Sequence, residues 1–198
     1  MLRTRTLPLL GLLAWTLLVA ACGPSGTPNT SKTVRSSAYP LDHHPDAVIA
    51  SATSNMIIVR ARVHRTDPQQ TYSVPGIDHE FAFTPVNVVV IEAFRGGHNP
   101  GDALTLRILG GERGNISYIG NDAPPIEVFT DGSEFMVFAQ EVVTIDSIDG
   151  ATPNHVYLLD DRGEMKDVSS RQSVVSATFE FAQFEARLRR QLDQQPTD

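Results

Sequence analysis

Hydrophobic and polar positions alternate along several stretches of this chain at the period of a β-strand. Ile57, Val59, Ala61 and Val63 alternate with Ile58, Arg60, Arg62 and His64. That predicts a first strand over 56–64 with one buried face and one basic, solvated face. Val86 to Phe94 is apolar almost throughout, with Val86, Val88 and Val90 on one side and Val89, Ile91 and Ala93 on the other. Bounded by Pro85 and Gly96, it predicts a central strand buried on both sides, and its valines suit a pleated surface. Gly, Asn and Pro between Arg95 and Asp102 supply a reversal. Leu104, Leu106 and Ile108 then alternate with Thr105 and Arg107, a strand with one wet face that Gly110-Gly111 is expected to end. After Gly132, Phe135, Val137 and Ala139 alternate with Met136 and Phe138, apolar on both sides and with room to extend to Ile145.

The flanking segments are weaker. Pro45 and Asp46 open a short helix to Ala52. Thr66 to Glu80 has the composition of a loop, and Ile116, Tyr118 and Ile119 mark a short strand. Val156–Leu159 and Met165–Val168 predict a hairpin about the Asp160-Asp161-Arg162-Gly163 turn. Thr178 is placed to cap a last helix, on which Phe181, Phe184, Leu188 and Leu192 form one apolar stripe. Glu180 and Glu185 come early in it and Arg187, Arg189 and Arg190 late, as the helix dipole prefers. A helix of this length is marginal alone and should dock its Phe face on the sheet.

Residues 1–21 follow another pattern. Arg3 and Arg5 precede an apolar run from Leu9 to Ala20, which closes in Val19-Ala20-Ala21-Cys22. This resembles the signal peptide and lipobox of bacterial lipoproteins. The resemblance implies cleavage before Cys22 and a diacylglyceryl group on its thiol. Cys22 is the single cysteine of the chain, so no disulfide forms within it, and lipidation accounts for an otherwise exposed thiol. Gly23 to Tyr39 is rich in Gly, Pro, Ser and Thr and reads as a flexible tether, whose 17 residues would span roughly 20–25 Å as coil. The expected organisation is signal peptide over 1–21, lipidated cysteine and tether over 22–44, and one domain over 45–195.

Charge narrows the partners. The chain carries 16 Lys and Arg against 23 Asp and Glu; without residues 1–21 it keeps 14 against 23, a net of −9. An acidic domain has no electrostatic reason to seek nucleic acid or anionic lipid.

The order of motifs "MIIVRARV", "VNVVVIEAFRG", "GDALTLRILGGE" and "GSEFMVFA" resembles the netrin/TIMP-like domain, an OB-type fold, over about 46–139. The resemblance implies a mainly β protein: a small antiparallel barrel with a short N-terminal helix and a C-terminal α-helix. It does not bring the inhibitory chemistry of that superfamily, in which a disulfide-held N-terminal cysteine chelates a target's zinc. Here the domain holds no cysteine, and Cys22 hangs on the tether.

Several residues are candidates for chemistry. Arg60, Arg62 and Arg107 are expected on outward strand faces, where they could form an anion-recognition stripe or simply pair with surface carboxylates. His43, His44 and Asp46 are the densest set of potential metal ligands, against the simpler reading of a polar helix start. His64, His79, His98 and His155 are scattered, and each is expected to be solvated. Asp160-Asp161 lacks the spacing of a calcium loop, and no Gly-x-Ser-x-Gly elbow occurs. The expectation is a lipoprotein on the extracytoplasmic side of the cell membrane. It would act without cofactor as a non-catalytic module for a protein or small-molecule ligand. The alternative is a metal-handling or hydrolytic enzyme of the envelope.

Overall fold

The computed structural model describes residues 32–36, 44–73, 80–113, 116–120, 123–140, 150–171 and 178–195. The strands are β1 (Lys32–Ser36), β2 (Met56–Thr66), β3 (Gln70–Ser73), β4 (Glu80–Arg95), β5 (Ala103–Arg113), β6 (Ile116–Gly120), β7 (Glu134–Gln140), β8 (Thr152–Leu159), β9 (Glu164–Asp167) and β10 (Thr178–Glu180). Helix α1 (Pro45–Ser51) precedes β2, a 3-10 turn (Ile126–Val128) precedes β7, and α2 (Phe181–Asp193) follows β10. The protein is mainly β, with one short N-terminal and one C-terminal helix.

All ten strands join one sheet, in the order β1-β6-β5-β4-β2-β7-β8-β9-β10, with β3 also paired to β4. From β6 to β10 every neighbouring pair is antiparallel, whereas β1 runs parallel to β6. The ladder does not close fully on itself. Its flanks meet at an isolated parallel bridge, Leu106 to Ala151. There the Arg107 N–H donates to the Ala151 carbonyl at 2.9 Å and the Ala151 N–H to that of Thr105 at 2.8 Å.

The sheet curls around an inner core. Ile57, Val59, Val88, Val90, Leu104, Leu106, Phe135 and Val137 are all buried in it, as the alternation requires. Phe129 and Phe135 pack ring against ring at 4.8 Å. A second core lies on the other side of β2, β7, β8 and β9, where Ile58, Met136, Phe138, Tyr157 and Met165 meet Val48 of α1 and Phe184 and Leu188 of α2. The apolar stripe of α2 therefore docks as its spacing predicts, with Phe184 and Leu188 buried and Phe181 and Leu192 half-buried.

Five expectations need correction. Val86 to Phe94 is not covered on both sides: Val86, Val88 and Val90 are buried, but Val89 is 37% exposed, because neither helix reaches that part of the sheet's outer surface. Gly110-Gly111 does not end a strand. Both glycines take positive φ, 104° and 126°, and let β5 bend on to Arg113 and pair with β6. The supposed loop of 66–80 contains β3, which pairs with the start of β4. Thr178 does not cap α2; it begins β10, and Glu180 stands at the cap without a side-chain bond. Within the predicted tether, Lys32–Ser36 is a strand, in register with Ile116–Gly120. The proposed extension of β7 to Ile145 lies outside the described residues.

Candidate functional site

The three arginines separate. On β2, Arg62 sits opposite Glu134 of β7, and Arg60 lies one same-face step away. Arg60 donates from Nε and Nη2 to one Glu134 oxygen at 3.2 and 2.7 Å. Arg62 donates from the same two nitrogens to the other oxygen at 3.1 and 2.5 Å. Burial by itself would raise the Glu134 carboxyl, but the bonds from Arg62 and Arg60 outweigh it and hold the group below the usual carboxylate range. The Arg60 guanidinium also lies over the Phe181 ring, 5.3 Å from its centroid, so the pair helps pin α2. These two arginines thus take the cross-strand pairing expected of a sheet surface. Arg107 is two strands away on β5, opposite Pro85, and is 5% exposed. It lies on the same face of the sheet, opposite the inner core, but Gly150 and Ala151 cover it, so no continuous stripe forms.

The polar cluster at α1 divides likewise. His43 lies outside the described residues. His44 is the N-cap, its Nδ1 accepting from the Asp46 N–H at 3.3 Å, with its ring edge-on to Phe179. Asp46 accepts from Arg187 of α2 at 2.7 Å. Both side chains serve the helix start and its packing. Among the described residues, no three His, Cys, Asp or Glu side chains gather as a metal site would need. His64 is exposed and His98 half-buried, while His79 lies outside the described residues. His155, expected in solvent, is buried beside Phe138 with ring centroids 6.3 Å apart. Asp160 accepts from the N–H groups of Arg162 and Glu164 and so builds the hairpin turn. Val19, Ala20, Ala21 and Cys22 lie outside the described residues. Among those described, no helix is long and apolar enough to cross a membrane.

A recess of about 430 Å³ opens where β4, β5 and β6 meet the 3-10 turn. Its volume is in the range of small-molecule sites. Thr84 and Gly111 line it, with Ser117 and Ile119 of β6 and Ile126 and Glu127 of the turn. Across it, Gln69 lines the wall just before β3. The amide oxygen and nitrogen of Gln69 are both buried and have no hydrogen-bond partner. Buried amides are nearly always paired, so this one is an anomaly to be accounted for. The floor is tight: a side chain at Gly111 would strike the Thr84 hydroxyl, which donates to the Gly110 carbonyl at 2.9 Å. Arg171 also lines the recess, and its Nη2 donates to both Glu127 oxygens at 3.1 and 3.0 Å. Burial acts to raise the Glu127 carboxyl, but a bond from its own backbone N–H and the Arg171 contact outweigh it and hold the group below the usual carboxylate range, so the ion pair persists at neutral pH.

The arrangement suits recognition. It offers an unpaired amide, two hydroxyls and a rim ion pair among the described residues. Sequence reasoning missed the recess because Gln69 lies in a segment read as loop and its partners are spread over a hundred residues. The paired glycines 110–111 were the available signal, a backbone held close to a cavity. Comparison with protein-family models, curated proteins and solved structures found no match to this chain.

Proposed function

We propose that this protein is a bacterial lipoprotein, held by lipid on Cys22 at the extracytoplasmic side of the cell membrane, whose β domain binds a small polar ligand without transforming it. The observation that carries the binding reading is the Gln69 amide, buried and unpaired at both ends beside a recess of ligand size. An unmade hydrogen bond in a buried place costs about 1–3 kcal/mol. A ligand presenting one acceptor and one donor would recover that cost at both ends of the amide. The anchor rests on Val19-Ala20-Ala21-Cys22 after a basic start and an apolar run. With β1 paired to β6, nine residues lie between Cys22 and Lys32, ten steps with a reach of at most about 36 Å. We read β2, β4, β5, β7 and β8 as a partly open OB-type barrel, with the Leu106–Ala151 bridge as its seam.

The test is native mass spectrometry of the full protein extracted from its own membrane in mild detergent. It should begin at Cys22, carry lipid there, and retain a small molecule that Gln69→Leu loses while keeping its lipid. It should also lack tryptophan emission, since Trp15, the single tryptophan, lies in the removed segment. An unmodified Cys22 would contradict the anchor. Identical retained masses for parent and Gln69→Leu would contradict the recess.

A further inference from the structure

Arg107 differs from Arg60, Arg62, Arg171, Arg187 and Arg189, each of which pairs with a carboxylate. It is 5% exposed, and of its three guanidinium nitrogens only Nη2 has a partner, the Thr152 hydroxyl at 3.2 Å. Nε and Nη1 are buried and unpaired. Burial pulls its pKa below the ordinary arginine value, with Tyr72 acting in the opposite direction. A guanidinium nevertheless stays charged in a protein. A cation taken out of water without a counter-charge is among the costliest arrangements a fold can hold.

Among the described residues, no carboxylate pairs with Arg107. Asp67 pairs with Arg65 and accepts from Asn87, and Glu127 holds Arg171. The position of Arg107 is not incidental. Its backbone makes one of the two seam bonds to Ala151, and Gly150 lies so close that a Cβ there would stand 2.8 Å from the Arg107 Cγ. The seam is thus clamped directly over a charge.

We propose that Arg107 holds a small inorganic anion of chloride size at the seam between β5 and β8. Nε and Nη1 are both buried, which suits a small ion. The site is separate from the recess, which Arg107 does not line. An anion bound only by the folded chain stabilises it by mass action and holds the seam shut.

The test is thermal melting of the full detergent-solubilised protein at constant ionic strength, with gluconate replaced by chloride. The melting temperature should rise by about 2–4 °C. Arg107→Met should fold, since replacing a buried charge by an apolar chain of similar length is often neutral, and should erase the response. Should that variant not fold, Arg107→Lys keeps the charge and should keep the chloride response. Crystals grown in bromide should show an anomalous peak beside Arg107. Equal melting in both salts, or an equal chloride response in Arg107→Met, would overturn the proposal. So would strong coupling, in a double-mutant cycle, between Arg107→Met and the Asn or Gln variant of Glu141, Asp146 or Asp149, which would make the counter-charge the chain's own.

Discussion

The two faces of the sheet are covered in different ways. The inner face is covered by the sheet itself: strands on opposite sides of the curl bury Val59, Val88, Leu106, Phe135 and Val137 against one another. The outer face is covered from outside, by Val48 and Ile49 of α1 and Phe184 and Leu188 of α2, over β2, β7, β8 and β9 and the end of β4 at Phe94. Away from the helices Val89 is 37% and Leu109 43% exposed, while Arg107 is covered by Gly150 and Ala151. The inner core therefore defines the fold, while the outer one fastens two helices to part of it. Both features that we assign to function, the Gln69 recess and Arg107, lie toward β4 and β5, away from the helices.

That contrast can be broken at four places. The largest effect is expected at Phe135→Ala, which opens a cavity between facing strands and beside Phe129; it should cost toward the upper end of about 3–5 kcal/mol in urea unfolding. Phe184→Ala should cost toward the lower end of that range, because a docked helix can settle into the space its ring leaves. A cost for Phe184→Ala above that for Phe135→Ala would reverse the ranking of the two cores. Glu134→Gln comes next. Its carboxylate is depressed in the folded state, so its contribution is present above the ordinary carboxylate range and is lost as pH falls through the lowered value. The variant should be less stable than the parent by about 1–2 kcal/mol at neutral pH, a figure reduced for partial exposure, and the gap should narrow as pH falls through the ordinary carboxylate range and close below the lowered value. A gap that stays constant from pH 7 to pH 3 would mean that the two arginine bonds contribute nothing through charge. The smallest effect is expected at Val89→Thr, within about 0.5 kcal/mol of the parent, whereas Val88→Thr one residue away places a hydroxyl in the inner core. Equal losses at the two positions would show that the open outer face is covered after all.

The inner face was legible in the sequence because strand alternation is local: which of Ile57 to Val63 and Leu104 to Ile108 turn inward follows from period two alone. The α2 stripe was legible for the same reason at period 3.6. Where the alternation broke, sequence reasoning failed. Irregularities in the β2–β4 register between Ile58 and Val59, and again between Arg60 and Ala61, shift the pairing within one strand. The glycines at 110 and 111 read as a stop because punctuation and bending use the same residue. Arg107 read as solvated because its polar alternation was correct but its cover, Gly150 and Ala151, arrives from forty residues on. The recess was illegible since no short segment carries it; only the folded sheet brings Gln69 to Gly111.

The central claim is that the Gln69 amide is held unpaired for a ligand, and the most direct measurement is the melting temperature of Gln69→Leu in ligand-free protein. An unpaired buried amide contributes nothing that leucine, of similar size, fails to supply. The variant should melt at or above the temperature of the parent. A loss of stability of about 1–3 kcal/mol would contradict the account, because it would mean that the amide is already hydrogen-bonded in the resting protein and is structural rather than reserved.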